Sequence, residues 1–294
     1  MHSRTRALVG AAAVGAAGLA YARWESEAFT LRRATTPVLP PGQSPIRLLH
    51  LSDLHLVPGQ RKKQAWVRSL RVLRPDAVIV TGDFLSHMDA VPHVLDTLDP
   101  LFDVPGAFVL GSNDYYAPRP INWARYLKGP SQLEPKRPML PWGDLVDGLT
   151  TNGWLDLGNA RATMKIDGRE VDVRGVDDPH ISRDRYDEVA GPFDSAADLT
   201  LGVTHAPYLR VLDAMAADGA DLVLAGHTHG GQLCVPGVGA LVTNCDLPRK
   251  QAKGLSEHDG SVLHVSAGLG TSPYAPVRFA CRPEATLLTL TARD

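Results

Sequence analysis

Five short stretches place carboxylate, imidazole and amide groups directly after apolar runs. They are Asp53-Leu54-His55, Gly82-Asp83, Gly111-Ser112-Asn113-Asp114, His205 and Gly226-His227-Thr228-His229-Gly230-Gly231. Each run reads as a buried strand, and in open α/β sheets ligands collect at the carboxyl ends of strands. Taken singly, each stretch has an ordinary explanation. Gly-Asp is a common turn dipeptide, Asn tolerates a left-handed turn, and a lone His after a strand is more often a core residue. Together they bring four His, two Asp and one Asn to one edge. That is a ligand set for Mn, Fe or Zn, not for a Cys-lined structural zinc site. The Asp83 carboxylate has lone pairs enough to reach two ions. Two cations about 4 Å apart clamp a phosphoryl group and generate a hydroxide nucleophile near neutral pH, which is what phosphoester hydrolysis requires.

The elements that must position these groups follow from apolar periodicity. Ile46 to Leu51, Asp76 to Thr81 and Ala107 to Leu110 read as buried strands. Between them, Gln64 to Leu73 places Trp66, Val67, Leu70 and Leu73 at helical spacing, and Val91 to Leu101 also reads as a helix. Such alternation implies βαβ units on a largely parallel sheet. The second half is richer in strands: Val171 to Val176, Leu199 to Thr204, Asp221 to Ala225, Val262 to Ser266 and Ala285 to Thr291. One helix, near Tyr208 to Ala217, lies among them, so two sheets packed between outer helices are expected. The Pro-, Gly- and Trp-rich stretch from Tyr115 to Asp156 reads as a loop-rich insertion over a pocket. Asp177-Asp178-Pro179-His180 reads as a turn near the site.

The chain has 294 residues, 44% of them hydrophobic and 21% charged, which allows a packed core. A net charge of −2, with Arg61-Lys62-Lys63 the largest basic cluster, argues against a nucleic-acid partner. Cys234, Cys245 and Cys281 cannot form a complete disulfide framework. At the N-terminus, Arg4 and Arg6 precede a charge-free run from Leu8 to Ala22, short of the roughly 20 residues of a spanning helix. Residues 1–22 therefore read as a cleaved signal peptide, an uncleaved anchor or an Ala-rich leader. The first two make the chain membrane-anchored or extracytoplasmic. Residues 23–45, ending in Pro40-Pro41-Gly42 and Pro45, read as a Pro-rich linker, and the folded domain as 46–294.

The order Asp-x-His, Gly-Asp, Gly-Asn-His-Asp/Glu, His, Gly-His-x-His resembles the pattern of the calcineurin-like metallophosphoesterase superfamily, from about Ile46 to the C-terminus. Gly226 to Gln232, Arg278-Phe279 and Arg282-Pro283-Glu284 are similar to its bacterial membrane-associated phosphodiesterase branch. The resemblance implies a four-layer α/β/β/α sandwich of two mixed sheets flanked by helices, with a dinuclear metal centre. It also implies that Asp53, His55, Asp83 and His229 hold one ion and that Asp83, Asn113, His205 and His227 hold the other. The third motif departs from the pattern by lacking its His. Ungapped, Ser112 falls at the ligand position and Asn113 at the His. A one-residue slip keeps Asn113, the better neutral oxygen ligand, and leaves Asp114 where the His should be. Asp114 is then the candidate catalytic acid, given burial or a like charge to raise its pKa. Tyr115 is the candidate substrate contact.

The expected function is metal-dependent phosphoester hydrolysis, of diesters by resemblance, with two divalent ions (Mn, Fe or Zn). The expected substrate is a small phosphoester or a lipid-linked phosphate, with membrane association through the N-terminus. The alternative is a metal-binding module at the membrane that has lost catalysis along with the His.

Overall fold

The computed structural model describes residues 2–120 and 137–294, with side chains from Ala13 onward. The first half holds α1 (His2–Glu25), β1 (Thr30–Leu39), β2 (Ile46–Leu51), α2 (Arg61–Ser69), β3 (Ala77–Thr81), α3 (Val91–Leu98), β4 (Gly106–Val109) and α4 (Ser112–Tyr115). After residue 136 come α5 (Trp142–Thr151), β5 (Leu155–Asp156), β6 (Ala160–Ile166), β7 (Arg169–Gly175), β8 (Leu199–Val203), α6 (Leu209–Ala217) and β9 (Leu222–Ala225). A small hairpin, β10 (Cys234–Val235) and β11 (Gly239–Ala240), precedes β12 (Gly254–His258), β13 (Ser261–Val265) and β14 (Glu284–Ala292).

Two six-stranded sheets form, in the orders β1-β14-β2-β3-β4-β5 and β12-β13-β9-β8-β7-β6. Both are mixed: β14 runs antiparallel to β2, and β6 and β12 run antiparallel to their neighbours. The central strands are mostly apolar and buried because both faces are covered. Leu49, Leu51, Val78 and Val80 point outward, against Val67, Val94 and Leu145 of the helices. Their neighbours Ile46, Leu48 and Ile79 point inward, against Val173, Leu201 and Leu224 of the second sheet. On the far face, Val211, Leu212 and Met215 of α6 pack over Val223 and Val265. The layers are thus helix, sheet, sheet, helix, the sandwich that the motif resemblance implied.

Three expectations change. Residues 23–45 are not a free linker, because Thr30–Leu39 pairs along its length with β14. Pro37 is tolerated there because β1 is an edge strand, and the register shifts immediately after it. The leader is helical to Glu25 and tied to the fold: the Arg278 N–H donates to Ala22 O, and Glu25 Oε2 accepts from the Ala280 N–H, both at 2.9 Å. The stretch from Tyr115 to Asp156 ends in α5 and β5, while 121–136 lies outside the described residues. All three cysteines are free and buried.

Ile79 is wholly buried between the sheets. Ile79→Ala is expected to lower the unfolding free energy by about 2–5 kcal/mol in urea titration; a loss under about 1 kcal/mol would contradict this packing.

Candidate metal centre

Each expected donor sits just beyond the carboxyl end of a strand. Asp53 and His55 follow β2, Asp83 follows β3, Asn113 follows β4, His205 follows β8, and His227 and His229 follow β9. The backbone there is strained: Asp53, His55, Asp83, His227 and His229 have φ between 43° and 67°. That left-handed region costs a non-glycine residue about 1–2 kcal/mol, and such residues cluster where function over-determines the chain. Close approach also demands glycine at two points. A Cβ on Gly111 would strike Asp83 Oδ1, and one on Gly226 would strike Ser52 Oγ.

Donor atoms of Asp53, His55, Asp83 and His229 all lie within 4.8 Å of one another. His55 Nε2 is 3.4 Å from Asp83 Oδ2 and 3.3 Å from His229 Nε2, which is 3.6 Å from Asp53 Oδ1. His205 Nε2 approaches the same Asp83 Oδ2 to 3.5 Å. Asn113 donates from Nδ2 to Oδ2 and from its backbone N–H to Oδ1, both at 2.8 Å. A half-turn of that amide presents its carbonyl oxygen in place of Nδ2. Of the two registers left open by the third motif, Asn113 is therefore the residue whose side chain meets Asp83. His227 stands edge-on to His205, ring centres 5.2 Å apart, and its N–H donates to Asp53. Asp83 lies between the two groups of donors.

Hydrogen bonds fix which nitrogen an imidazole offers. His205 Nδ1 is 2.6 Å from the Thr81 carbonyl, which can only accept, so Nδ1 carries the proton and Nε2 keeps a lone pair. That Nε2 is buried and has no hydrogen-bond partner among the described residues. His227 Nε2 lies 3.1 Å from Asn244 O and 3.3 Å from Asn244 Nδ2, so Asn244 holds that edge of the ring. An orphaned imidazole nitrogen beside buried carboxylates fits a divalent cation.

The electrostatics agree. Burial would raise the Asp83 carboxyl, but His205, His55 and the Asn113 N–H groups outweigh it and hold it well below the usual range. Burial, with His205 opposing and Asp83 adding to it, pushes Asp53 up to about 6. Burial lowers His205, yet the carboxylates of Asp83, Asp178 and Asp53 raise it to about 9. Burial takes His55 down to about 4 and His227 and His229 well below their usual value. With His55, His227 and His229 neutral, His205 alone offsets the clustered carboxylates, which leaves the centre short of positive charge.

Two expected roles change on this geometry. Asp114 is fully buried, and its oxygens accept from the backbone N–H groups of Asp83 (2.8 Å), Gly111 (2.9 Å) and Leu85 (2.9 Å). Burial and the Asp83 charge push it up to about 8, but a side chain engaged this way has no face to offer a leaving group. It braces the Asp83 turn. Tyr115 is buried too, its hydroxyl donating to Asp177 at 2.9 Å and its ring lying under the Arg183 guanidinium.

Sequence reading placed the Asp177–His180 turn near the site without assigning it a part. The His180 ring is 4.5 Å from that of His227, and its Nδ1 is 3.1 Å from Tyr208 Oη. Asp178 is fully buried, and its Oδ2 has no hydrogen-bond partner among the described residues. Its signal was an Asp-Asp-Pro-His run directly after a strand. A second missed feature is a hydrogen-bond chain behind Asp53. Ser52 Oγ donates to Asp53 Oδ2 (2.6 Å) and Thr81 Oγ1 donates to Ser52 Oγ (2.7 Å). His50 Nε2 lies 2.9 Å from Thr81 Oγ1, and His50 Nδ1 lies 2.8 Å from His264 Nδ1. Because the carboxylate only accepts, every hydrogen in the chain points toward it. Arg278, also buried, donates to the carbonyls of Ala267, Gly268 and Gly270 and lies 3.3 Å from His229 Nδ1.

A four-layer sandwich with an Asp/His cluster at converging strand ends defines a metal-dependent phosphoesterase class. Residues 46–231 match the calcineurin-like phosphoesterase family, and the chain belongs to it. It is 29% identical over 252 residues to YkoQ, an uncharacterized metallophosphoesterase of Bacillus subtilis (strain 168), with 84% of each chain covered. It is 27% identical over 301 residues to the phosphodiesterase YaeI of Escherichia coli (strain K12), covering 99% of this chain and 100% of that one. It is 28% identical over 273 residues to a transmembrane protein with a metallophosphoesterase domain from Bos taurus, covering 86% of this chain and 55% of that protein.

Thr81→Val breaks the chain behind Asp53 and should weaken Mn²⁺ binding about tenfold in calorimetric titration, with Thr81→Ser restoring it; equal affinity in the two variants would remove the chain's role. Asp114→Ala strands three buried N–H donors and should cost about 2–4 kcal/mol of stability in urea unfolding. A variant of unchanged stability would return Asp114 to the candidates for proton transfer.

Proposed function

We propose that the chain is a dinuclear metal-dependent phosphodiesterase working at a membrane surface. The observation that carries this reading is the position of Asp83, whose Oδ2 lies within reach of His55 Nε2, His205 Nε2 and the Asn113 amide together. Asp53, His55, Asp83 and His229 would hold one cation, and Asp83, Asn113, His205 and His227 the other, with Mn, Fe or Zn suited to such donors. When bound, the pair supplies positive charge for the phosphoryl oxygens and an activated water to attack phosphorus.

The chain's own residues set the geometry. Ser52 orients Asp53, the Thr81 carbonyl fixes the His205 tautomer, and Asp114 ties the Asp83 turn to Gly111. Beside His227, His180 offers the imidazole that the Gly111-Ser112-Asn113-Asp114 motif lacks, turned by its bond to Tyr208. Cleavage of diesters is supported by the likeness to YaeI. The net charge of −2 favours a small or lipid-linked phosphoester over nucleic acid.

Membrane association is supported by the transmembrane relatives and by the apolar α1. No helix among the described residues is long and apolar enough to cross a membrane. An uncleaved helix that holds the chain at the bilayer without spanning it fits this, since Ala22 and Glu25 are bonded into the fold. The missing motif His favours one other reading, a metal-binding module without turnover.

The test uses the full chain, because β1 belongs to the first sheet, stripped of metal and reloaded with Mn²⁺. Hydrolysis of a chromogenic phosphodiester is expected to depend on the metal and to fall about a thousandfold in Asp83→Asn. Two ions bound per chain with neither diester nor monoester cleaved would sink the hydrolase reading and leave the binding module.

A further inference from the structure

The described residues expose thirteen large apolar side chains, and nine of them (four, four and one) lie on α1, the stretch 233–241 and the loop at Tyr274. Nine on three segments is a concentration, because apolar side chains scattered singly are normal on a surface. The segments are joined. The Tyr21 ring meets Phe279 edge-on at 5.4 Å, and Leu233 pairs with Phe279 across a β-bridge. Gln232 Nε2 donates to the carbonyls of Ala275 and Val277, beside Tyr274.

Each segment has the chemistry of a lipid contact. α1 is charge-free from Ala7 to Ala22, and none of its side chains from Ala13 to Ala20 is buried. An apolar helix without packing partners needs an apolar environment. Sixteen residues at 1.5 Å each reach about 24 Å, short of the ~30 Å hydrocarbon core, so such a helix can enter a bilayer without spanning it. Tyr21 and Trp24 at its end, with Tyr274, are half-exposed rings of the kind that settle at headgroup level. Between β10 and β11, Val238 stands at the hairpin tip, 74% exposed.

Charge identifies the lipid. Beside the hairpin, a pocket of about 360 Å³ is lined by Gly230, Val238, Ala240, Arg249, Lys250 and Lys253. All three cations are exposed; Arg249 and Lys250 have no ion pair among the described residues, while Lys253 Nζ lies 3.7 Å from Cys281 Sγ. The one acid between 241 and 253, Asp246, accepts from the Leu209 N–H. In a chain of net charge −2, this rim is a local excess of positive charge next to His229. We infer that this face docks on an anionic phospholipid bilayer, hairpin tip and rings among the headgroups and Arg249 and Lys250 on their phosphates. Docking sets the mouth of the metal centre at the membrane. Resting on the phosphodiesterase reading, the inference makes the substrate class a phosphoester carried by a lipid.

The test sediments the Mn²⁺-loaded full chain with phosphatidylcholine vesicles, plain or containing phosphatidylglycerol, at physiological salt. Binding should be about tenfold tighter to the anionic vesicles and should fall about tenfold in Val238→Glu/Leu241→Glu and in Arg249→Glu/Lys250→Glu. Metal stoichiometry checks that both variants fold. All three proteins keep α1, so unchanged binding in both variants would overturn the proposal. A dimer on gel filtration that Val238→Glu/Leu241→Glu dissolves, without vesicle binding by the wild type, would assign the face to a second copy and also overturn it. Sedimentation reads binding without turnover, so its failure and that of the hydrolysis test remain separate.

Discussion

Asp53 and Asp83 are buried carboxylates held within reach of the same imidazoles, and much of the surrounding structure bears the cost of that arrangement. Taking an ion out of water costs several kcal/mol unless charges and hydrogen bonds replace the solvent. Asp53 receives Ser52 Oγ and the His227 N–H, and Asp83 receives two donors from Asn113. Neither set neutralises the charge. The strained backbone at five of the donor residues persists because strands on either side leave the chain no other path.

Thr81, the last residue of β3, shows how the two sheets are made to agree. Its carbonyl takes the proton of His205, which belongs to the second sheet, and its hydroxyl feeds the chain ending on Asp53 in the first. That chain begins at His264 on β13, again in the second sheet. The interface between the layers is therefore more than apolar packing: a polar thread crosses it, with donors and acceptors in one sense. Sliding one sheet over the other by a residue would break the thread and move half of the ligand set together.

Most of the fold was legible because the central strands are buried on both faces and read as largely apolar runs; Ile46–Leu51 has the same limits in sequence and structure. What stayed hidden has physical reasons. β1 hides behind Pro37, which an edge strand tolerates and a central one does not. β6 buries only Met164 and Ile166, too thin a pattern to stand out. At the site, the donor residues could be named because strand ends are marked by glycine and polar residues. The work of Asp114 could not, since an acid beside a ligand reads as chemistry until its oxygens are seen to be occupied by backbone. Asp178, His180 and the His50–His264 pair depend on contacts between distant segments, which no local pattern encodes.

The seating of β14 between β1 and β2 bears on the order in which the protein comes into being. All seven donor residues precede β14, so a nascent chain leaving the ribosome carries its complete set of metal-binding groups before the first sheet can close. Until Glu284–Ala292 arrives, β1 and β2 have an open seam between them, with unpaired backbone on both sides. Final assembly is thus a late insertion of one strand into a waiting gap, after which α1 and the donor-bearing turns are locked to the same sheet.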